Sequence, residues 1–361
     1  MKPMLKAIIP SFIIIFLGIT AGHSCTTFFI HHQGKSVFGK NYDWFLGRGI
    51  IIINKKGVFK KAMPDAEAQG PYAEWASKYG SLTFNQYGRE FPMGGMNEAG
   101  LVIHLMMLTE TTFPPPDERP VIKELQWIQY HLDKFATVDQ VVENQSNIRI
   151  VHKEEPGIHY LVADKNGNCA TIEFIGGNLV VHSKDTLPVK ALANDRYSAS
   201  LSYLKTHQGF GGSIPIIKGE SSMKRFVFAS KMLRDFHLKP KKSMVDYAFK
   251  ILYSVKQSTS TQWSIVYDLN ALTVYFHTRK CPGMKSVNLT AFDLKCSTPV
   301  EVLDMNSDST GNILHLFYDY SKETNYRLIR DAFDGTWFLR NTPAVVMDRR
   351  ATYPDSHICR Q

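Results

Sequence analysis

The chain has 361 residues, of which 44% are hydrophobic, 12% aromatic and 21% charged, a balance that excludes global disorder and provides enough apolar surface for one large domain or two ordinary ones. The formal charge is +9, but the basic residues are scattered and run together only in short pairs such as Lys55-Lys56 and Lys60-Lys61. That argues against nucleic acid as a partner, which calls for charge concentrated on one face.

The first 24 residues read as an export signal. Lys2 and Lys6 form a positive start, Ile8 to Ile19 is apolar, and the small residues Gly22 and Ser24 precede a cut after Ser24. The apolar stretch is well short of the ~20 residues that span a bilayer, and Pro10 interrupts it. A cleaved signal peptide over 1–24 is therefore favoured over an anchoring helix, and no stable membrane span is expected. Gly22 stands where a lipoprotein signal would carry an aliphatic residue three before the cysteine, so simple cleavage at Cys25 is favoured over lipidation. The expected location is periplasmic or extracellular.

Beyond the signal, strands and helices alternate in blocks. Cys25 to Ile30 is β-branched and aromatic, Gln33-Gly34-Lys35 supplies a turn, and Ser36 to Gly39 returns. Ile50 to Ile53 reads as a fully buried strand, and Ser81–Phe84 and Leu101–Leu108 as a further pair. Phe113-Pro114-Pro115-Pro116 must be loop. Helices are predicted over 122–134 and after the capping box opened by Thr137. Then come a hairpin over 159–174, a strand over 179–182, and helices over 222–236 and 243–255. A last hairpin spans 261–277, and a helix is predicted over 321–333. This order suits an α+β fold with sheets stacked between helical layers.

Five cysteines occur, at 25, 169, 281, 296 and 359. With Cys25 reserved for chemistry, the other four allow three pairings. Cys281 and Cys296 bracket a short segment that a disulfide would close, and the alternative is that most stay reduced and buried. No CxxC pair exists, and His31-His32 has no Asp or Glu at ligand spacing, so neither a metal nor a cofactor is expected.

A cut that leaves cysteine first on a strand puts a thiol and a free α-amine on one residue. With an ordinary pKa of about 7.7–8.0, that amine is partly neutral near pH 7 and accepts the thiol proton. The thiolate then attacks, and the resulting ammonium returns a proton to a leaving amine. Nucleophile and base sit on one residue.

Several segments carry a resemblance. Ser24-Cys25-Thr26-Thr27-Phe28, Phe38 to Trp44, Gly95 to Leu101, Leu192-Ala193-Asn194 and Ser221 to Phe226 are similar, in this order, to segments of the choloylglycine hydrolase and penicillin V acylase family, which are N-terminal-nucleophile (Ntn) hydrolases of linear amides. The resemblance implies an αββα sandwich of two stacked, mainly antiparallel sheets over 25–295, followed by a C-terminal extension over 296–361. It implies Cys25 as nucleophile, Asp43 as the acceptor that orients the α-ammonium, Asn194 as an oxyanion donor, and Arg225 as a fixed charge favouring thiolate. Lys40 stands where the family commonly has arginine, keeping the charge without the planar fork.

The family's second oxyanion donor falls at Met107, whose backbone N–H serves in place of a side chain. Leu105 shares the Met107 face of the strand, and Met106 points the other way. An apolar acyl pocket is placed near Phe45, Met106 and Phe113. The implied substrate is a small-molecule acyl amide: a conjugated bile acid, penicillin V, an N-acyl homoserine lactone or an N-acyl amino acid. The alternatives are a catalytically weak or dead acyl-binding relative and a lipid-anchored envelope protein. Association into a homo-oligomer stays open, and so does whether the extension covers the core, mediates such contacts or caps the cleft.

Overall fold

The computed structural model describes residues 25–64, 69–151, 156–238 and 243–360, so the predicted signal peptide lies outside the described residues. The first hairpin sets the architecture. Thr26–His32 and Lys35–Asp43 pair antiparallel with Thr27 opposite Lys40. The two residues between them, Gln33 and Gly34, both have positive φ (50° and 72°), the twist that a two-residue hairpin requires. Lys35–Asp43 then pairs with Thr261–Asp268, which continues into Thr273–Thr278 and Lys285–Asn288. The short Ala191–Leu192 strand flanks the first strand on its other edge. Together with Gly311–Asn312 these make a seven-stranded sheet.

A nine-stranded sheet lies against it, running in the order 178–183, 169–175, 158–164, 101–107, 92–97, 81–85, 50–54, 301–304 and 318–319. Aromatic side chains lock the two inner faces together: Phe38 stacks on His104 at 5.7 Å, and Phe84 meets Phe276 edge-on at 5.7 Å. The helices Ser222–Leu238 and Met244–Val255 cover the outer face of the seven-stranded sheet, where Asn41 Nδ2 donates to Leu252 O at 2.9 Å. The helix Glu124–Lys134 covers the other sheet, tied by Asn97 Nδ2 donating to Leu132 O and Phe135 O. The layers are helix, sheet, sheet, helix: the αββα sandwich.

The N-cap at Thr137 forms as expected, and two more helices start on a capping serine. Thr137, Ser243 and Ser321 each accept a hydrogen bond from the backbone N–H three residues on. One central strand escapes the hydrophobic pattern. Ser81–Asn85 and Leu101–Met107 do not pair with each other, because Pro92–Asn97 runs between them. Its sequence, PMGGMN, lacks strand formers because neighbours occupy the space that side chains would fill. A Cβ at Gly94 would lie 2.1 Å from His104 Nδ1, and one at Gly95 2.4 Å from Leu82 O.

The C-terminal segment builds into the same body. Glu301–Asp304 pairs with Ile50–Asn54, with Val302 opposite Ile52, and Ile358–Cys359 pairs with Val58–Lys61. Of the three pairings the cysteines allowed, the short Cys281–Cys296 loop does not form. Cys296 bonds Cys359, with Cα atoms 5.5 Å apart, while the Cys281 thiol donates to Asn306 O at 3.0 Å. Sequence proximity suggested the short loop, but the strand pairing at Val58 brings the chain end to Cys296. The loop closed spans 63 residues, a length for which restricting the unfolded chain contributes about 4 kcal/mol. Cys359→Ser is expected to lower Tm by roughly 5–10 °C in calorimetry, and addition of reductant to the unmutated protein should produce a similar loss.

Candidate active site

Opposed residues of an antiparallel pair share a face, and the hairpin register therefore sorts the polar residues at its open end. Cys25, Lys40 and Tyr42 face inward, toward the second sheet. Thr26, Asn41 and Asp43 face outward, where Asn41 meets the Met244–Val255 helix and Thr26 and Asp43 meet Arg225 of the Ser222–Leu238 helix. Cys25 is buried, and its Sγ approaches Asp43 O at 4.0 Å.

From the covering helix, Arg225 reaches down to this end of the sheet and is itself only 1% exposed. Its Nη1 donates to Cys25 O at 2.8 Å and to Thr26 Oγ1, and lies 3.6 Å from Asp43 Oδ2. Its Nη2 donates to Asn194 Oδ1 at 3.3 Å, and its Nε to Glu220 O at 3.0 Å. Asn194 lies two residues beyond the Ala191–Leu192 strand. Its backbone N–H is held by Ser222 Oγ and its Nδ2 donates to Met107 O, both at 2.8 Å. The side-chain amide has a second N–H to offer a substrate.

Burial dominates the electrostatics. The Asp43 carboxyl is pushed up to about 6 by desolvation, against the opposing pull of Arg225, a hydrogen bond from Thr261 Oγ1, and Lys40. At 3.6 Å the Arg225 pair is too loose to offset that desolvation. Asp43 Oδ2 has no hydrogen-bond partner, so a buried acceptor is left open beside Cys25. Lys40 is fully buried, with Nζ donating to Leu105 O at 2.6 Å. Burial lowers its pKa, Cys25 and Asp43 resist that shift, and Arg225 adds to it. His104 is held neutral by burial and then by Lys40, with Nε2 bonded to Tyr267 Oη at 2.6 Å.

The chain that carries this arrangement has known relatives. Residues 25–302 match the linear amide C–N hydrolases of the choloylglycine hydrolase family, and the match begins at Cys25 itself. The chain belongs to that family. A penicillin V acylase from Pectobacterium atrosepticum is 25% identical over 322 residues, spanning 77% of this chain and 84% of that protein. Among solved structures, penicillin V acylase from Agrobacterium tumefaciens superposes with a TM-score of 0.72 at 23% identity, covering 82% of this chain and 98% of that one. A variant of conjugated bile acid hydrolase from Clostridium perfringens gives 0.65 at 18% identity, covering 81% and 100%.

In this linear amide hydrolase a largely apolar pocket opens at Cys25. Tyr42, Trp44, Tyr87, Met93, Leu105 and Met107 contribute to its lining, and Leu125 and Ile158 extend it. The position of Met107 follows from ladder alternation: Leu108 N–H donates to Gly157 O at 2.8 Å, so the backbone of Met107 faces away from the neighbouring 158–164 strand. Its carbonyl takes the Asn194 amide on that open side.

Three residues expected to line the pocket do so nowhere. Met106 is fully buried on the opposite face of its strand. Phe45 packs on the ring of Trp44 at 4.5 Å, leaving Trp44 to line the cavity. Phe113 lies against Phe174 at 5.1 Å. Strand alternation signals the Met106 outcome, but nothing local distinguishes Phe45 from Trp44. Thr261, the hydroxyl partner of Asp43, also escaped the sequence reading, because it reaches the site through sheet pairing 218 residues away.

If Asp43 holds the α-ammonium as the resemblance implies, it does so as a carboxylate, and kcat/KM should then fall as pH drops through the Asp43 pKa. The Thr261 hydrogen bond favours the charged form. Thr261→Val should therefore move the acidic limb of the pH–rate profile to higher pH, with little change on the plateau.

Proposed function

We propose that this hydrolase is exported, loses residues 1–24, and uses the freed Cys25 amine and thiol to cleave a linear acyl amide with an apolar acyl group. The observation that carries this reading is the buried carboxylate oxygen Oδ2 of Asp43, the residue whose backbone carbonyl meets Cys25 Sγ: it accepts no hydrogen bond, and its ion pair with Arg225 stays at 3.6 Å. An orphaned buried acceptor is costly, and a liberated α-ammonium would satisfy it.

The chemistry follows in steps. The neutral α-amine takes the thiol proton, and Lys40 and Arg225 stabilise the thiolate. Sγ attacks the amide carbon, and the oxyanion is met by the second Asn194 N–H and the Met107 backbone N–H. Collapse breaks the C–N bond as the α-ammonium protonates the departing amine. Water, deprotonated by the same amine, then hydrolyses the thioester and releases the carboxylic acid.

The likeness to penicillin V acylases and the aromatic lining around Trp44 and Tyr87 favour an acyl group bearing a ring. Penicillin V, a conjugated bile acid, an N-acyl homoserine lactone and an N-acyl amino acid form the assay panel. Mature protein should begin at Cys25 by N-terminal sequencing, with an intact mass lacking any diacylglyceryl group. Cys25→Ser should abolish turnover, and Asn194→Ala should lower kcat by about 10²–10³. Equal turnover by Cys25→Ser and the unmutated enzyme would reject the mechanism. Lys40→Arg tests the neighbouring charge. Burial lowers the Lys40 pKa, so its charge is lost as pH rises, whereas arginine stays protonated. The alkaline limb of kcat/KM should move to higher pH in Lys40→Arg.

A further inference from the structure

The pocket at Cys25 is closed in part by residues that lie beyond the family match. That match ends at residue 302, yet Phe333, Phe338, Leu339 and Arg350 line the same cavity as Cys25, Trp44 and Tyr87. We infer that this C-terminal wall determines which acyl groups the enzyme accepts. The inference rests on the reading of the Cys25 pocket as the acyl site.

The wall is fixed to the site by specific contacts. Trp44 Nε1 donates to Tyr87 Oη at 2.8 Å, and that hydroxyl is 3.0 Å from Thr336 Oγ1, three residues past Phe333. Arg350 Nε donates to Tyr87 O at 2.7 Å, and its guanidinium lies 3.6 Å from the Phe91 ring centroid. Asn325 clamps both sides, accepting from Arg89 N–H at 2.8 Å and donating to Ala351 O at 3.0 Å. Tyr353 Oη donates to Lys61 O at 2.6 Å, and the Cys296–Cys359 disulfide holds the chain end. Tyr87 therefore belongs to the pocket lining and to the anchorage of the wall at once. A wall so held has a defined shape and discriminates by size.

Phe338 is the informative position. It lines the cavity but is only half-buried, so truncating it opens the pocket with little demand on the core. Contacts of one or a few carbon atoms in such a pocket change selectivity by about 10–200-fold. Removing the ring should therefore raise KM for a phenoxyacetyl amide by about tenfold or more while kcat changes little. Across a series of N-acyl amides from acetyl to dodecanoyl, Phe338→Ala should shift the preferred chain length upward. The acetyl member should be unaffected, and Phe338→Leu should be intermediate.

A second measurement separates this inference from the nucleophile mechanism. Calorimetric binding of the same amides to Cys25→Ala, with and without Phe338→Ala, reads the wall without turnover. Weaker binding of the phenoxyacetyl amide and tighter binding of the long-chain amides in the double variant support the wall. Unchanged affinities, or one common factor for every acyl length with Tm preserved, would overturn it. If Cys25→Ala still hydrolyses the panel, the nucleophile assignment fails, and the affinities report on the wall regardless.

Discussion

A single buried guanidinium organises the catalytic end of this molecule. Arg225 bonds the carbonyl of Cys25, the hydroxyl of Thr26 and the side-chain oxygen of Asn194, and lies beside the carboxylate of Asp43. These groups come from the first hairpin and the segment after Ala191–Leu192, and the covering helix supplies the guanidinium that joins them. A planar fork with five donors suits that task, because it fixes several acceptors in one geometry. The same contact sets the orientation of Asn194: with Oδ1 held by Arg225, Nδ2 must turn toward Met107 and the pocket.

The charges around Cys25 make sense only as a set. Lys40 and Arg225 are buried cations, and Asp43 is a buried carboxyl whose pKa is pushed up to about 6 by desolvation. Two cations against one anion leave room for a second negative charge, which in the proposed mechanism the Cys25 sulfur carries. The lowered Lys40 pKa and the raised Asp43 pKa share one cause, desolvation. A thiolate would relieve the first and an α-ammonium the second. Elsewhere the protein handles buried charge conventionally: Lys60 is paired with Glu90 at 2.6 Å and Asp133 at 3.0 Å. The Glu90 carboxylate has its pKa lowered to about 2, with Lys60 the first of the charges that overcome its burial, whereas burial wins at Asp43.

Legibility in the sequence followed the range of the interaction. The first hairpin, the capped helices after Thr137, Ser243 and Ser321, and the hairpins over 158–175 and 261–278 are local patterns, and each stands where the pattern put it. Cys25 and Lys40 also fall into place locally, since one turn and one register bring them to the same face. The strand Pro92–Asn97 was illegible because its glycines answer to His104, Leu82 and Thr83, which no window around them contains. The helices Tyr197–Lys205 and Ala344–Thr352 were missed as well; each is nine residues long and neither has a side-chain N-cap. Pocket lining was the least legible property. Trp44 and Phe45 are adjacent and both aromatic, and only the packing decides which ring meets the cavity.

The sequence by itself determined the chemical type of the nucleophile, its place at the head of a strand, and the family to which its motifs are similar, because those depend on residue identity and on order along the chain. Only the tertiary structure decided that Thr261 would bond Asp43, that Cys296 would pair with Cys359, and that the wall from Phe333 to Arg350 would close the pocket. Such contacts join residues far apart in the chain. Their partners are chosen by sheet order and layer packing, which no local spacing encodes.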